Sequence, residues 1–111
     1  MNQGDIYLIN LDPTIRTEAG KIRPGMILSV NAMNHYSPRI IIAPITSRVG
    51  KIYPFEVFIP VNIGGLKKDS KIMLDQMRSL DKKRLIKKIG VIDKELLIKA
   101  CSIAQRLISA E

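Results

Sequence analysis

The run IIIAPI at residues 40–45 and the shorter run MILSV at residues 26–30 decide the fold class of this chain. Both are short and rich in β-branched and aliphatic side chains, a composition that favours strands buried in a sheet. Residues 31–39 between them contain Asn, His, Ser and Pro, which is typical of a turn. We therefore predict two buried strands joined by a turn, with His35, the only histidine, in that turn.

Further strand candidates lie on both sides of this pair. Residues 6–11 form an apolar run that places Ile6 on one face and Tyr7 and Ile9 on the other. Residues 55–59 read FEVFI, an alternation that predicts one buried face and one partly wet face. Residues 70–74 form another candidate after a glycine turn. Several short strands of this kind indicate an antiparallel sheet or small barrel.

The C-terminal part of the chain has helical periodicity. Asp93 is a suitable N-cap, and Asp81 can cap a shorter helical turn over residues 82–86. The apolar residues after Asp93 recur at helical spacing: Leu96, Leu97, Ala100, Ile103, Ala104, Leu107 and Ile108. We therefore predict a mainly β (α+β) fold of a single domain, residues 1–111, in which an amphipathic C-terminal helix packs on an antiparallel barrel or sheet.

Composition bounds the partners and the compartment. Eighteen Lys and Arg against ten Asp and Glu give a net charge of +8, which favours nucleic acid or an acidic protein as partner. The single cysteine, Cys101, cannot form a disulfide within the chain, which fits a reducing compartment. The N-terminus has no signal-peptide pattern, and no apolar run is long enough to span a membrane. These features predict a cytoplasmic protein.

Motifs of large enzyme classes are absent from the sequence. It contains no Walker A motif, Rossmann glycine fingerprint, HExxH or nucleophile elbow, and no Cys/His cluster with zinc spacing. We therefore predict neither a metal nor another cofactor. Because His35 is the only histidine, a pair of histidines on one chain cannot act as general acid and base.

Polar residues at predicted strand ends are the candidates for chemistry. They are Glu18, Lys21 and Arg23 in the first long loop, Thr46 and Ser47 after the third strand, and Gln76 and Arg78 late in the sheet. If these strands are neighbours, two guanidinium groups and a hydroxyl converge on one point. Arginine binds phosphate bidentately and a threonine hydroxyl adds a hydrogen bond, so phosphodiester chemistry is the reaction class that this set indicates.

Five ordered blocks of sequence also resemble the MazF/PemK toxins of bacterial type II toxin–antitoxin systems. The first comprises Gly4-Asp5-Ile6, Asp12-Pro13, Glu18, Gly20 and Arg23-Pro24; then follow Ile45-Thr46-Ser47, Gly65-Leu66-Lys67-Lys68-Asp69-Ser70, Asp75-Gln76-Met77-Arg78 and Asp81-Lys82-Lys83-Arg84-Leu85. Together they cover nearly the whole chain. One departure is Gly25, which stands where these toxins often have an apolar residue, and it is expected to loosen the strand start without touching the catalytic positions.

The resemblance implies a fold, an activity and partners. The fold is a small SH3-like barrel with a C-terminal helix, and the protomers form a homodimer. The activity is sequence-specific, metal-independent cleavage of single-stranded RNA (mRNA) by attack of the 2′-hydroxyl, leaving a 2′,3′-cyclic phosphate and a 5′-hydroxyl. A MazE-like antitoxin with an acidic, flexible tail inhibits the enzyme.

The same resemblance assigns roles to the polar candidates. Arg23 and Thr46 are the catalytic pair. The substrate-binding residues are Glu18 and Lys21 on the substrate loop, and Ser47, Gln76 and Arg78 at phosphate or base contacts. Each role has a structural alternative. Arg23 could be a solvated loop cation, and Thr46 could cap a strand end. Gln76 and Arg78 could pair with backbone groups or a neighbouring carboxylate.

Two other functions stay open at this stage. CcdB-like toxins have a similar fold but poison DNA gyrase without catalysis, and fold alone does not separate the two. That alternative expects partner-binding residues near the end of the terminal helix, where Ser109-Ala110-Glu111 offer little. The third possibility is an RNA-binding module that has the basic groove but no turnover.

Overall fold

Antiparallel strands form the scaffold of residues 1–11 and 22–111, the part of the chain that the computed structural model describes. The strands are β1 (Asp5–Asn10), β2 (Ile22–Ile27), β3 (Arg39–Thr46), β4 (Glu56–Ile59), β5 (Ser70–Met73), β6 (Arg78–Asp81) and β7 (Leu85–Val91). The helices are α1 (Asn31–Tyr36) and α2 (Lys94–Leu107), with single 3₁₀ turns at Leu74–Gln76 and Lys82–Arg84. This is the mainly β fold with a C-terminal helix that the sequence predicts.

Strand β3 is the centre of the sheet and pairs with three other strands. Its edge facing β2 pairs Gly25 with Pro44 and continues to residue 42. Its other edge is divided, since β6 pairs with residues 39–42 and β5 with Ile45 and Thr46. Pro44 has no N–H to donate, so a break in the ladder beside it loses little. The 3₁₀ turn Leu74–Gln76 connects β5 to β6 across this gap.

The two ends of the sheet approach each other. The strand order is β4-β5-β3-β2-β1-β7, and the turn after β4 reaches back to β7. Gly64 and Gly65 in that turn have φ values of +67° and +80°, which favour glycine. A Cβ on Gly65 would collide with the carbonyl oxygen of Ile89, and a Cβ on Gly90 with that of Gly64. Close backbone contact at this seam gives the sheet its barrel-like curvature.

Apolar side chains are buried on both faces of the central strands. Ile45 and Ala43 belong to the larger core cluster, which includes Ala100 and Ile103 of α2. Ile42, one residue away, belongs to a second cluster on the other face, together with Ile40, Ile9, Ile27 and Leu80. Because both faces are covered, the strand sequence is a continuous apolar run rather than an alternation. The predicted two-faced pattern of β1 is confirmed, since Ile6 lies in the first cluster and Ile9 in the second.

The C-terminal helix is confirmed. Arg23, predicted in a loop, belongs instead to β2, because β1 pairs with residues 22–26. Two further local predictions are wrong. Asp93 is the N-cap of α2 and accepts a hydrogen bond from Leu96 N–H at 2.9 Å. Residues 31–36 form the helix α1, not only a turn, because the buried Asn34 amide donates to the Ser29 carbonyl at 2.9 Å. None of the helices in the described ranges is long and apolar enough to cross a membrane.

The second of these two predictions concerns residues 82–86. Asp81 does cap a turn by accepting a hydrogen bond from Lys83 N–H at 2.8 Å, but that turn ends at residue 84. Ile86 belongs instead to β7, which pairs with β1. Two exposed lysines interrupt the apolar pattern of β7, and its pairing with β1 shifts register twice, so periodicity gives no strand signal there.

We predict that Gly65→Ala destabilises the protein much more than Gly50→Ala. Both glycines have positive φ, so both substitutions cost about 1–2 kcal/mol of backbone strain. Only Gly65 also faces a backbone carbonyl, whereas a Cβ on Gly50 meets nothing within 4 Å. Overpacking should add about 1–3 kcal/mol at Gly65. Urea denaturation of the two variants measures the difference, and equal free energies of unfolding would contradict the backbone contact at the seam.

Candidate active site

Arg23 and Thr46 lie opposite each other where strand β2 begins and strand β3 ends. The register that pairs Gly25 with Pro44 places Arg23 opposite Thr46 when it is continued by two residues. Both residues line the same two clefts on the surface. The sequence predicts these two residues as the catalytic pair, and the strand register explains how residues 23 positions apart come together.

The hydroxyl of Thr46 is oriented by the chain that follows it. Its Oγ1 accepts a hydrogen bond from the backbone N–H of Arg48 at 3.1 Å. A hydroxyl has one proton to donate besides its lone pairs, so the bond to Arg48 leaves that proton available to a ligand. The strand-end cap that sequence analysis leaves open is therefore present, and it is compatible with a contact to phosphate.

We call the larger of the two clefts the arginine cleft. It has a volume of about 600 Å³, and besides Arg23 and Thr46 it is lined by Leu11, Pro44, Arg48, Met73, Gln76 and Arg78. Gln76 reaches it because the 3₁₀ turn Leu74–Gln76 fills the gap on the divided edge of β3. Arg78 reaches it from the start of β6.

The smaller cleft, of about 340 Å³, lies against the same pair of residues, and we call it the lysine cleft. Its polar lining consists of Arg23, Thr46, Ser47, Lys67, Lys68 and Ser70. Ser47 therefore lies near the pair, but in this cleft and not beside Gln76 and Arg78. The predicted residues Glu18 and Lys21 lie outside the described residues.

Three basic residues of the clefts are missed when candidates are selected at strand ends. Arg48 lies two positions after Thr46, in a loop, and Lys67 and Lys68 follow the Gly64-Gly65 turn. The lysines do belong to a sequence block that resembles the toxin family, which is the one signal that points to them. Loop residues of this kind have no periodicity, so only the tertiary structure shows what they approach.

Arg78 also has a structural contact. Its Nη1 donates to the Leu11 carbonyl at 3.2 Å, so it holds the end of β1 beside the cleft. Gln76 makes a weak contact, from Nε2 to the Sδ of Met73 at 3.5 Å. The backbone-pairing alternative is therefore present for Arg78, but both side chains still line the arginine cleft.

The clefts are positively charged. Every charged side chain among the described lining residues is Arg or Lys, so the surface around Arg23 and Thr46 attracts anions such as phosphate.

His35 is exposed in α1, which precedes β3, whereas Thr46 is the last residue of that strand. Within residues 1–11 and 22–111, no three His, Cys, Asp or Glu side chains are placed to hold a metal ion.

A buried ion pair supports the loop that carries Ser47 and Arg48. Lys71 is paired with Thr46 across β5 and β3, and its Nζ lies 2.9 Å from Glu56 Oε1 and 3.0 Å from the Lys51 carbonyl. The same carboxylate oxygen accepts the Tyr53 N–H at 2.9 Å. Residues 47–55 are therefore tied to β4 and β5. Sequence analysis predicts a partly wet face of β4, but Glu56 on that face is buried because of this pair.

The ion pair also sets the protonation of Glu56. Burial raises the pKa of the carboxyl, but hydrogen bonds from Tyr53 and Lys71, together with the lysine charge, outweigh this effect. The pKa of Glu56 therefore lies below its ordinary value. A lowered pKa means that the folded state holds the ionised form more firmly than the unfolded chain does.

The fold and the two clefts define a small antiparallel β protein with a basic surface site around Arg23 and Thr46. The sequence profile described as "PemK-like, MazF-like toxin of type II toxin-antitoxin system" matches residues 2–108. The chain belongs to this family. Its relatives include Endoribonuclease MazF of Staphylococcus saprophyticus, 43% identical over 86% of this chain and 82% of that protein. Endoribonuclease EndoA of Bacillus subtilis is 36% identical over 89% of this chain and 86% of that protein.

A solved structure has the same fold. A chain in the crystal structure of MazE–MazF from Deinococcus radiodurans matches with a TM-score of 0.78 and 26% identity, over 100% of this chain and 97% of that chain. The resemblance to the MazF/PemK toxins and the predicted fold class are thereby confirmed.

We predict that breaking the Glu56–Lys71 ion pair destabilises the fold and changes its response to acid. Lys71→Met leaves a buried carboxylate without its cation and should cost about 3–5 kcal/mol, whereas the double variant Glu56→Gln/Lys71→Met should cost less. Because the folded pKa of Glu56 is lowered, its contribution to stability is complete above the pKa of the unfolded chain and is lost as the pH falls through the folded pKa.

The measurement is the free energy of unfolding in urea between pH 7 and pH 3. The intact protein should lose more stability over this range than Glu56→Gln, which has no carboxylate at this position to protonate. The same acid dependence in both proteins would contradict a lowered pKa at Glu56.

Proposed function

We propose that this member of the toxin family is an endoribonuclease that cleaves single-stranded RNA, including mRNA, at selected sequences and without a metal ion. The observation that carries the proposal is the position of Arg23 opposite Thr46, where two basic clefts meet. Membership in a family whose matched relatives are named endoribonucleases supports the reaction class.

The reaction uses a nucleophile that RNA itself carries. The 2′-oxygen forms a bond to the adjacent phosphorus while the bond from phosphorus to the 5′-oxygen breaks. The 2′-hydroxyl gives up its proton and the leaving 5′-oxygen gains one, so the products are a 2′,3′-cyclic phosphate and a 5′-hydroxyl. DNA lacks the 2′-hydroxyl and is not a substrate.

The catalytic pair stabilises the charge that develops on the phosphate. The guanidinium of Arg23 offers several N–H donors in a plane, which suits two oxygens of the pentacoordinate transition state. Thr46 donates its hydroxyl proton, and its oxygen is already held by Arg48 N–H. Ser47, Gln76 and Arg78 line the clefts, and we assign to them the contacts with flanking phosphates or bases.

The substrate loop and the proton acceptor are the remaining parts of the mechanism. Glu18 and Lys21 are assigned to substrate binding from the family resemblance alone. The proton of the 2′-hydroxyl needs an acceptor, and arginine is a poor base. His35 belongs to α1, away from the end of β3 that carries Thr46. We therefore assign the role of catalytic base to neither Arg23 nor His35.

The partners follow from the same surfaces. A MazE-like antitoxin is the proposed inhibitor, since a solved relative is a MazE–MazF complex and an acidic tail complements basic clefts.

We infer that residues 1–111 act as a single toxin domain and work in the cytoplasm, where mRNA is found. Exposed apolar residues on β7 and α2, Ile86, Val91 and Ile98 among them, support a homodimer.

We predict that purified protein cuts a long single-stranded RNA at a few recurrent sites in excess EDTA. Arg23→Ala and Thr46→Ala should each lower kcat about 10²–10³-fold, because each removes a donor to the transition state. Thr46→Ser keeps the hydroxyl and should keep most of the activity. Arg39→Ala is the matched control for Arg23→Ala, since Arg39 is exposed at the opposite end of β3.

Mapping of the product ends completes the test. Cyclic phosphate ends are expected, and a 2′-deoxy nucleotide at the cleavage position should abolish cutting but not binding. Binding without cutting by the intact protein would favour an RNA-binding module, and no RNA binding at all would favour a CcdB-like poison of DNA gyrase. Cutting that survives both alanine substitutions would contradict the assigned pair.

We also predict that the protein is a dimer in solution. Burial of exposed apolar side chains of β7 and α2 between two copies is the driving force. Sedimentation equilibrium at micromolar concentration should give twice the 12.5 kDa mass of one chain. A monomer under those conditions would overturn the homodimer.

A further inference from the structure

Lys67 and Lys68 form a charged pair that the proposed chemistry does not use. Both side chains are exposed, and both line the lysine cleft beside Arg23 and Thr46. Within the described part of the chain, neither ammonium group has a hydrogen bond or an ion pair. Two like charges thus lie next to Arg23 and Thr46 without a hydrogen bond or ion pair to any other described residue.

The backbone under these lysines is held by other groups. The Lys68 carbonyl accepts a hydrogen bond from Ser70 Oγ at 2.9 Å, and Asp69 Oδ1 accepts the Val61 N–H at 2.9 Å. On the other side, the Gly64-Gly65 turn rests against β7. The turn is therefore ordered without help from the lysine side chains, so their removal should leave the fold intact.

The two clefts extend from Arg23 and Thr46 with different basic residues. The arginine cleft contains Arg48 and Arg78, and the lysine cleft contains Lys67 and Lys68. An RNA strand carries one phosphate per nucleotide. If the scissile phosphate lies at the pair that both clefts share, the phosphates before it and after it lie in different clefts.

We propose that Lys67 and Lys68 form a phosphate-binding subsite for the RNA on one side of the cleaved bond, while Arg48 serves the RNA on the other side. The proposal rests on the proposed function and adds a division of the substrate between the two clefts. Lysine is a flexible point charge that attracts phosphate without reading bases. The subsite therefore contributes affinity and not the choice of sequence.

This division has a kinetic consequence. The lysines do not touch the reacting phosphorus, so their loss should raise KM and leave kcat and the cleavage sites unchanged. Each cleft also binds only one side of the substrate. A substitution in one cleft should therefore lose its effect when the RNA that occupies that cleft is cut away.

The experiment crosses protein variants with RNA length. Three RNAs share one cleavage site: one extends on both sides, one is shortened on the 5′ side and one on the 3′ side. The variants are Lys67→Ala/Lys68→Ala in one cleft and Arg48→Ala in the other. Arg39→Ala/Lys83→Ala is the control, because it removes the same charge from exposed positions outside β7 and α2, and neither residue lines a cleft.

On the long RNA the lysine variant should raise KM about tenfold, with kcat changed less than about twofold. The affinity for the same RNA with a 2′-deoxy nucleotide at the cleavage position should depend less on salt, its logarithmic slope falling by about 1.4 for two lost contacts. The KM effect should vanish on one shortened RNA, and that of Arg48→Ala on the other.

Three results would overturn the inference. The lysine variant could match the Arg39/Lys83 control, change kcat in place of KM, or show the same defect on both shortened RNAs. If the intact protein still cuts the long RNA, those results leave the proposed function standing. Failure of the intact protein to cut any RNA would overturn the proposed function and this subsite together.

Discussion

The site depends on how strand β3 shares its edges. One edge is given to β2, whose register sets Arg23 opposite Thr46. The other edge is divided between β6 and β5, which leaves a gap beside residues 43 and 44. The 3₁₀ turn Leu74–Gln76 crosses that gap and brings Gln76 to the cleft.

The molecule separates charges that stabilise the fold from charges that face the solvent. Glu56 and Lys71 are buried and satisfied by each other and by backbone groups, as a buried pair must be. Arg23, Arg48 and Lys67 lie at the surface around the clefts, where water hydrates them and a polyanion can displace that water. Lys71 of the buried pair is the strand partner of Thr46, which lies beside the surface charges of the clefts. The buried ion pair thus supports the end of β3 that carries the Thr46 hydroxyl.

Periodicity predicts the elements whose burial is uniform along their length. The IIIAPI run of β3 and the amphipathic pattern after Asp93 are of this kind, and both are confirmed. It fails where a distant contact decides the local structure. Residues 31–36 are helical because Asn34 is buried against Ser29, and β7 is a strand because β1 pairs with it. Neither contact leaves a pattern in the local sequence.

The sequence by itself determined the fold class, the family, the positive charge and the residue types that the chemistry needs. Each of these depends on composition, local order or ordered motifs that a single chain displays. Only the tertiary structure decided which residues meet: Arg23 with Thr46 through strand register, and Arg48, Lys67 and Lys68 through loops that end at the same clefts. The physical reason is that strand pairing and loop closure join residues far apart in the chain, and their geometry depends on the whole packed sheet.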